Sequence, residues 1–148
     1  MKHLLSLVVI LMIAVPVLSA EKSAKEYLAD LDSNKDEKTV VEAVKWAGEK
    51  KSKNAVPALI NLLNDRREDV RMRSAVSLGL IGDKSAVEPL NKTLLSDGSP
   101  EVRYAAILAT FQLGSSKSIS AWKEAREKET DPYIRDILTR LEEKAKSK

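Results

Sequence analysis

Asp97-Gly98-Ser99-Pro100-Glu101-Val102-Arg103 decides the reading of this chain, because the same pattern stands 32 residues earlier and again 32 residues later. Val70, Val102 and Ile134 share that spacing, as do Arg71, Arg103 and Arg135, and Gly82 matches Gly114. A fixed period of roughly 20 to 50 residues marks stacked supersecondary units, each leaving an apolar face bare until its neighbour covers it. Taken alone, the acid, Gly, Ser, Pro and Arg would pass for a phosphate-binding loop. The two echoes make it a joint between units instead: a turn, a Pro-started helix and an arginine in its first turn.

The helices on either side follow from local signals. Ser99-Pro100 opens a helix with Val102, Ala106, Thr110 and Leu113 inward, Pro being tolerated where its missing N–H has no partner. Asp69 to Gly82 places Val70, Ala75, Leu78 and Ile81 at the same spacing, and Pro132 opens a last helix with Ile134, Ile137, Leu138 and Leu141. Shorter helices alternate with these. Asn54 is read as the cap of one carrying Val56, Leu59 and Leu63, Ser85 as the cap of one carrying Val87, Leu90 and Leu94, and Ser118 as the start of one carrying Ile119 and Trp122. Towards the N-terminus, Ser23 caps a short helix with Ala24, Tyr27, Leu28 and Leu31, and Asp36 caps one with Val40, Ala43, Val44 and Ala47. The result is eight helices and no convincing strand. Ala75, Gly79, Ala105 and Ala106 would let helices approach closely, and Gly82 and Gly114 suit helix C-termini.

Composition agrees. A charged fraction of 32% beside 4% aromatic residues describes a helix-rich chain whose core is small and aliphatic, and 148 residues suit one domain. The N-terminus is a separate object. Lys2 precedes an apolar run from Leu4 to Leu18, and Ser19-Ala20 offers small residues for cleavage, so residues 1–20 read as a secretory signal peptide, with an uncleaved anchor as the alternative. No cysteine is present, so an exported domain over residues 21–148 relies on its hydrophobic core alone. Loss of Lys2 lowers 25 basic residues by one against 22 acidic, and the formal charge from +3 to +2. That balance advertises no polyanion site.

Val70-Arg71, Ser74-Ala75, Leu78-Gly79, Ile81-Gly82-Asp83 and Ala86-Val87, with Ala55-Val56-Pro57, Leu59-Ile60 and Leu62-Leu63 one unit earlier, resemble the HEAT-like repeats of the phycobilisome-lyase type. The resemblance covers about residues 36–141. It implies an all-α, armadillo-like fold: a right-handed α-solenoid, or α-α superhelix, of about three to four helical hairpins. The units fall at about 36–64, 68–96 and 100–129, with a terminal capping helix over 132–146. The third unit departs from the pattern, since Phe111 stands at the Gly79 position and Trp122 and Arg126 replace leucines. HEAT repeats carry an acid six residues before the arginine, which ties successive units together. Here the resemblance pairs Asp65 with Arg71, Asp97 with Arg103 and Glu129 with Arg135 as a structural ladder.

Signals of chemistry are weak. After the signal there is no histidine and no cysteine, which removes the usual nucleophile–base pairs and zinc sites and speaks against the HEAT-repeat hydroxylases, whose metal site depends on His–Glu pairs. No catalytic residue, cofactor or metal is expected. Ser120-Ala121-Trp122-Lys123 matches Ser-x-x-Lys without a Lys-Thr-Gly partner, and Asn91-Lys92-Thr93 is a formal glycosylation acceptor on a core-packing helix. Asp32, Asn34 and Asp36 alternate as calcium ligands do, but Glu37 stands where the loop needs Gly, and a capped polar turn explains the same residues. Trp46, Tyr104 and Trp122 are read as partly core, or as anchors for a partner if exposed.

Two function classes remain. One is a non-enzymatic binding or scaffolding module, periplasmic or secreted, whose partner is another protein of unknown identity. The resemblance makes the face of successive second helices concave, and the candidate partner-binding positions on it are Asn61, Asn91, Lys92, Lys123 and Glu127. Their mixed charge suits a protein surface and not nucleic acid, which needs a basic stripe. The other is an enzyme-linked role similar to that of the phycobilin lyases, for which the residues supply no extra chemistry. A DNA-handling role is a weaker third, opposed by the signal peptide and the charge.

Overall fold

A computed structural model describes residues 22–146, and the expected signal peptide over residues 1–20 lies outside them. Among the described residues there are eight α-helices and no strand. They are α1 (Ala24–Asp30), α2 (Glu37–Glu49), α3 (Val56–Leu62), α4 (Glu68–Ile81), α5 (Val87–Ser96), α6 (Pro100–Leu113), α7 (Lys117–Lys128) and α8 (Pro132–Lys146). The longer helices α2, α4 and α6 stack side by side, while α3, α5 and α7 each lie against the long helix that follows, and α5 also packs on α7. This is the α-solenoid that the period implies. Its core runs along the stack through Val40, Val44, Leu59, Val70, Leu78 and Leu90, all fully buried. Each such aliphatic side chain contributes about 1.5–3 kcal/mol by leaving water.

The helix starts divide into two kinds. Ser23 makes a capping box with Glu26, Asp36 accepts from Thr39 N–H, and Ser99 accepts from Val102 N–H. Asn54 and Ser85 do not cap. They sit inside 3-10 turns, Lys53–Ala55 and Lys84–Ala86, and the helices start after them at Val56 and Val87. Asp83 does the capping in the second turn, accepting from Ser85 N–H at 2.9 Å. Ser118 is likewise buried one residue inside α7, and its Oγ has no hydrogen-bond partner.

The spacing is also uneven. Ala55-Val56 and Ala86-Val87 are 31 apart, and Lys51, in the left-handed conformation with φ 50°, stands where Gly82 has φ 79°. One extra residue before Asp97 restores the 32-residue step at the joint. Gly79 is required by contact: a Cβ there would stand 2.9 Å from Ala109 Cα, so only glycine lets α4 and α6 pack this closely.

Candidate functional site

The ladder forms, with a different pairing from the expected one. Arg71 Nε and Nη2 hold the two oxygens of Asp97 at 2.8 and 3.1 Å, while Nη1 donates to the Asp65 carbonyl at 3.0 Å. Arg103 does the same with Glu129 at 2.9 and 2.8 Å and the Asp97 carbonyl at 3.0 Å. Within a joint the acid therefore offers its backbone oxygen, and the carboxylate comes from the following joint, 26 residues on. Side chains on a helix lean towards its N-terminus, which brings one edge of the guanidinium back to its own loop and leaves the Nε/Nη2 edge for the next unit. Bidentate geometry of this kind is the strongest that arginine makes with a carboxylate.

Asp65 is served differently. Thr39 stands where the earlier arginine would be, and Arg67 takes over, holding the Asp65 carboxylate through Nε at 2.8 Å and Nη2 at 2.7 Å while Nη1 donates to the Lys35 carbonyl. The Asp65 side chain is fully buried, and the Arg67 guanidinium holds its carboxyl below the usual carboxylate range. Arg103 does the same to Glu129. Arg67 was not among the residues singled out from the sequence. The missing arginine at Thr39 was the signal that another cation had to fill the rung. At the far end, Arg135 Nε and Nη2 both donate to the Glu129 carbonyl, at 3.2 and 2.6 Å.

Of the partner-binding candidates, Asn61, Lys92, Lys123 and Glu127 are exposed on α3, α5 and α7. Asn91 is not. It is 7% exposed and its Nδ2 donates to the Lys117 carbonyl at 3.4 Å, because one step along the helix from Lys92 turns it towards α7. Lys92 lines a groove of about 680 Å³ between α3 and α5, with Asn64, Glu88 and Ser96 around it and Arg71 and Asp97 of the ladder in its wall. A second groove of about 500 Å³ opens at the far end, lined by Phe111, Ile119, Trp122, Leu141 and Lys144.

The aromatic candidates all make contacts within the fold. Trp122 is buried and its Nε1 donates to Thr110 Oγ1 at 2.9 Å. Trp46 stacks on Tyr27 with centroids 4.9 Å apart, and Tyr104 is half-buried beside Tyr133, the most exposed of the exposed large hydrophobics at 61%. Asp32 and Asp36 serve the turn before α2: Asp32 Oδ1 accepts from Asn34 N–H at 2.9 Å, and Asp36 caps the helix. Among the described residues no group of three or more His, Cys, Asp or Glu is placed to hold a metal, and no helix is long and apolar enough to cross a membrane.

A family model described as HEAT repeats matches residues 24–109 and 77–141. The chain belongs to the HEAT repeat family. These HEAT repeats are also similar to deoxyhypusine hydroxylase of Arabidopsis thaliana, 33% identical over 95 residues. The match takes in 63% of this chain and 30% of that protein, so the chain spans under a third of the relative's length in the aligned part. The family match agrees with the stacked helix pairs.

Proposed function

We propose that this HEAT-repeat chain is an exported, non-enzymatic module that binds or scaffolds another protein through its second-helix face, centred on the groove between α3 and α5. The groove itself carries the reading. Its wall holds Arg71 and Asp97, already paired with each other, so the groups offered to a partner are Lys92 and Asn64 at its rim, with Glu88 beside Lys117 at 3.8 Å. Mixed charge and amide groups at the mouth of a groove with some apolar lining suit a polypeptide, with Lys123 and Glu127 extending the face along α7. Export is supported by the charged start, apolar run and small residues of the first 20 positions.

The likeness to a hydroxylase is a reason to weigh an enzyme as well. It spans 95 residues, and the single histidine of this chain is His3, ahead of every described residue. A fold shared among many activities does not carry one of them across.

Photo-crosslinking groups placed singly at Asn61, Lys92 and Glu127, and as controls at Lys45 and Arg73 on the long helices, test the reading in the native envelope. A single protein should be captured from the first set and not from the second. Equal capture from both faces, or a chromophore carried by the purified chain, would overturn the proposal.

A further inference from the structure

The ladder has four acids and not three. Asp32 follows α1 as Asp65 follows α3, Asp97 follows α5 and Glu129 follows α7. Each of the four accepts the backbone N–H two residues on: Asn34 at 2.9 Å, Arg67 at 2.9 Å, Ser99 at 2.9 Å and Asp131 at 3.0 Å. Asp65, Asp97 and Glu129 are then closed by a bidentate arginine. Among the described residues no cation pairs with Asp32.

Arg135 is the counterpart at the opposite end. It reaches the carbonyl of the acid six residues before it, as Arg71 and Arg103 do, but through Nε and Nη2, the edge those two give to a carboxylate, and among the described residues no carboxylate pairs with it. The residue is exposed. The helix order matches these charges. Arg71 and Arg103 take the acid that follows the next short helix. At the C-terminal end of the stack α8 is a long helix with no short helix after it among the described residues. At the N-terminal end α1 is a short helix with no long one before it, and Asp32 comes next. Ile119 on α7 marks the same edge: it is 38% exposed, whereas Val87, its counterpart on α5, is 3% exposed.

We propose that Arg135 of one copy takes Asp32 of a second copy, so that chains stack head to tail and complete the open rung of the ladder. The short helix α1 of the second copy then lies over Ile119 of the first, in the place a following repeat would take. The contact is heterologous, so it grows in one direction and does not close into a two-fold dimer. The exposed sides of α1 and α8 are largely polar, which makes it a weak, salt-sensitive contact.

Analytical ultracentrifugation of the chain without residues 1–20, which leaves every described residue in place, tests this. The weight-average mass should rise above that of one chain as concentration approaches about 1 mM, the scale of a weak contact. Asp32→Arg alone and Arg135→Asp alone should each hold the mass at one chain, since each sets like charges against one another. A one-to-one mixture of the two variants should regain association, because every junction between unlike copies again pairs opposite charges. Asp32→Asn keeps the turn to Asn34 and should lose association as well. A wild type that stays at the mass of one chain overturns the proposal. So does a single variant that associates as the wild type does, or a mixture of variants, both folded by circular dichroism, that fails to associate.

Discussion

The contact of α4 with α6 and that of α6 with α8 use the same repeat positions with opposite chemistry. In the first, Gly79 admits Ala109, and Leu78, Leu90 and Leu94 fill the space between helices at under 2% exposure. In the second, those positions are Phe111, Thr110, Trp122 and Arg126, and α8 meets α6 far less extensively. The packing there is partly polar: Trp122 donates to Thr110, and Arg126 reaches Glu142 at 3.2 Å, whose side chain is 6% exposed. A repeat that must receive a neighbour on both sides needs small and aliphatic residues. One at the edge can exchange them for hydrogen bonds and an ion pair, which tolerate water on one side.

The largest test of that contrast removes a guanidinium from each end of it. Arg103→Ala should cost about 3–5 kcal/mol in urea unfolding, because Glu129 is left buried without its charge partner. Arg135→Ala at the edge should cost under about 0.5 kcal/mol, as exposed positions do. Equal losses would show that the ladder does not carry the difference. Leu78→Ala should lose about 2–5 kcal/mol, the range for a cavity in a central core. At the same position one repeat later, Thr110→Val should lose about 1–3 kcal/mol, since Trp122 Nε1 is then buried with no acceptor.

Two smaller effects sharpen the comparison. Restoring the central chemistry with Arg126→Leu and Glu142→Leu together should leave thermal stability unchanged or raise it, because Glu142 is buried, Arg126 half-buried, and such a pair replaced by apolar residues is often neutral or favourable. A clear drop in Tm would show that the edge is organised by this pair. The last concerns pH. Asp65 and Glu129 are held below the usual carboxylate range, first by hydrogen bonds from Arg67 and Arg103. A carboxyl lowered in the folded state stabilises fully above its unfolded value near pH 4, and that contribution is lost as pH falls through the lowered value. Stability should therefore decline on the acid side below about pH 5, and Glu129→Gln should flatten that decline in urea titrations run at several pH values.

Much of the fold was legible because the information is local and repeated. The 3.6-residue pattern of Val70, Ala75, Leu78 and Ile81 gives a buried face, and all four are buried. Helix starts were less legible where a 3-10 turn intervenes: Asn54 and Ser85 have capping side chains, yet the chain tightens through one more turn before α3 and α5. In the candidate face, Lys92 and Asn91 differ by one step of about 100° around a helix, and only packing against α7 decides which is exposed.

By itself the sequence determined the period, the helices and the joints, since each follows from residues within one turn or one repeat, while the acid–arginine ladder came from the resemblance to HEAT repeats. The tertiary structure decided which atoms meet. It turned Arg71 to the carbonyl of Asp65 and the carboxylate of Asp97, and brought Arg67 into the rung that Thr39 leaves vacant. It buried Trp122 against Thr110, and among the described residues it gave Arg135 a carbonyl and Asp32 the Asn34 amide in place of an opposite charge. A guanidinium has two usable edges, and the sequence around it does not say which partner each will face. That is fixed when stacked helices bring side chains 26 residues apart within 3 Å.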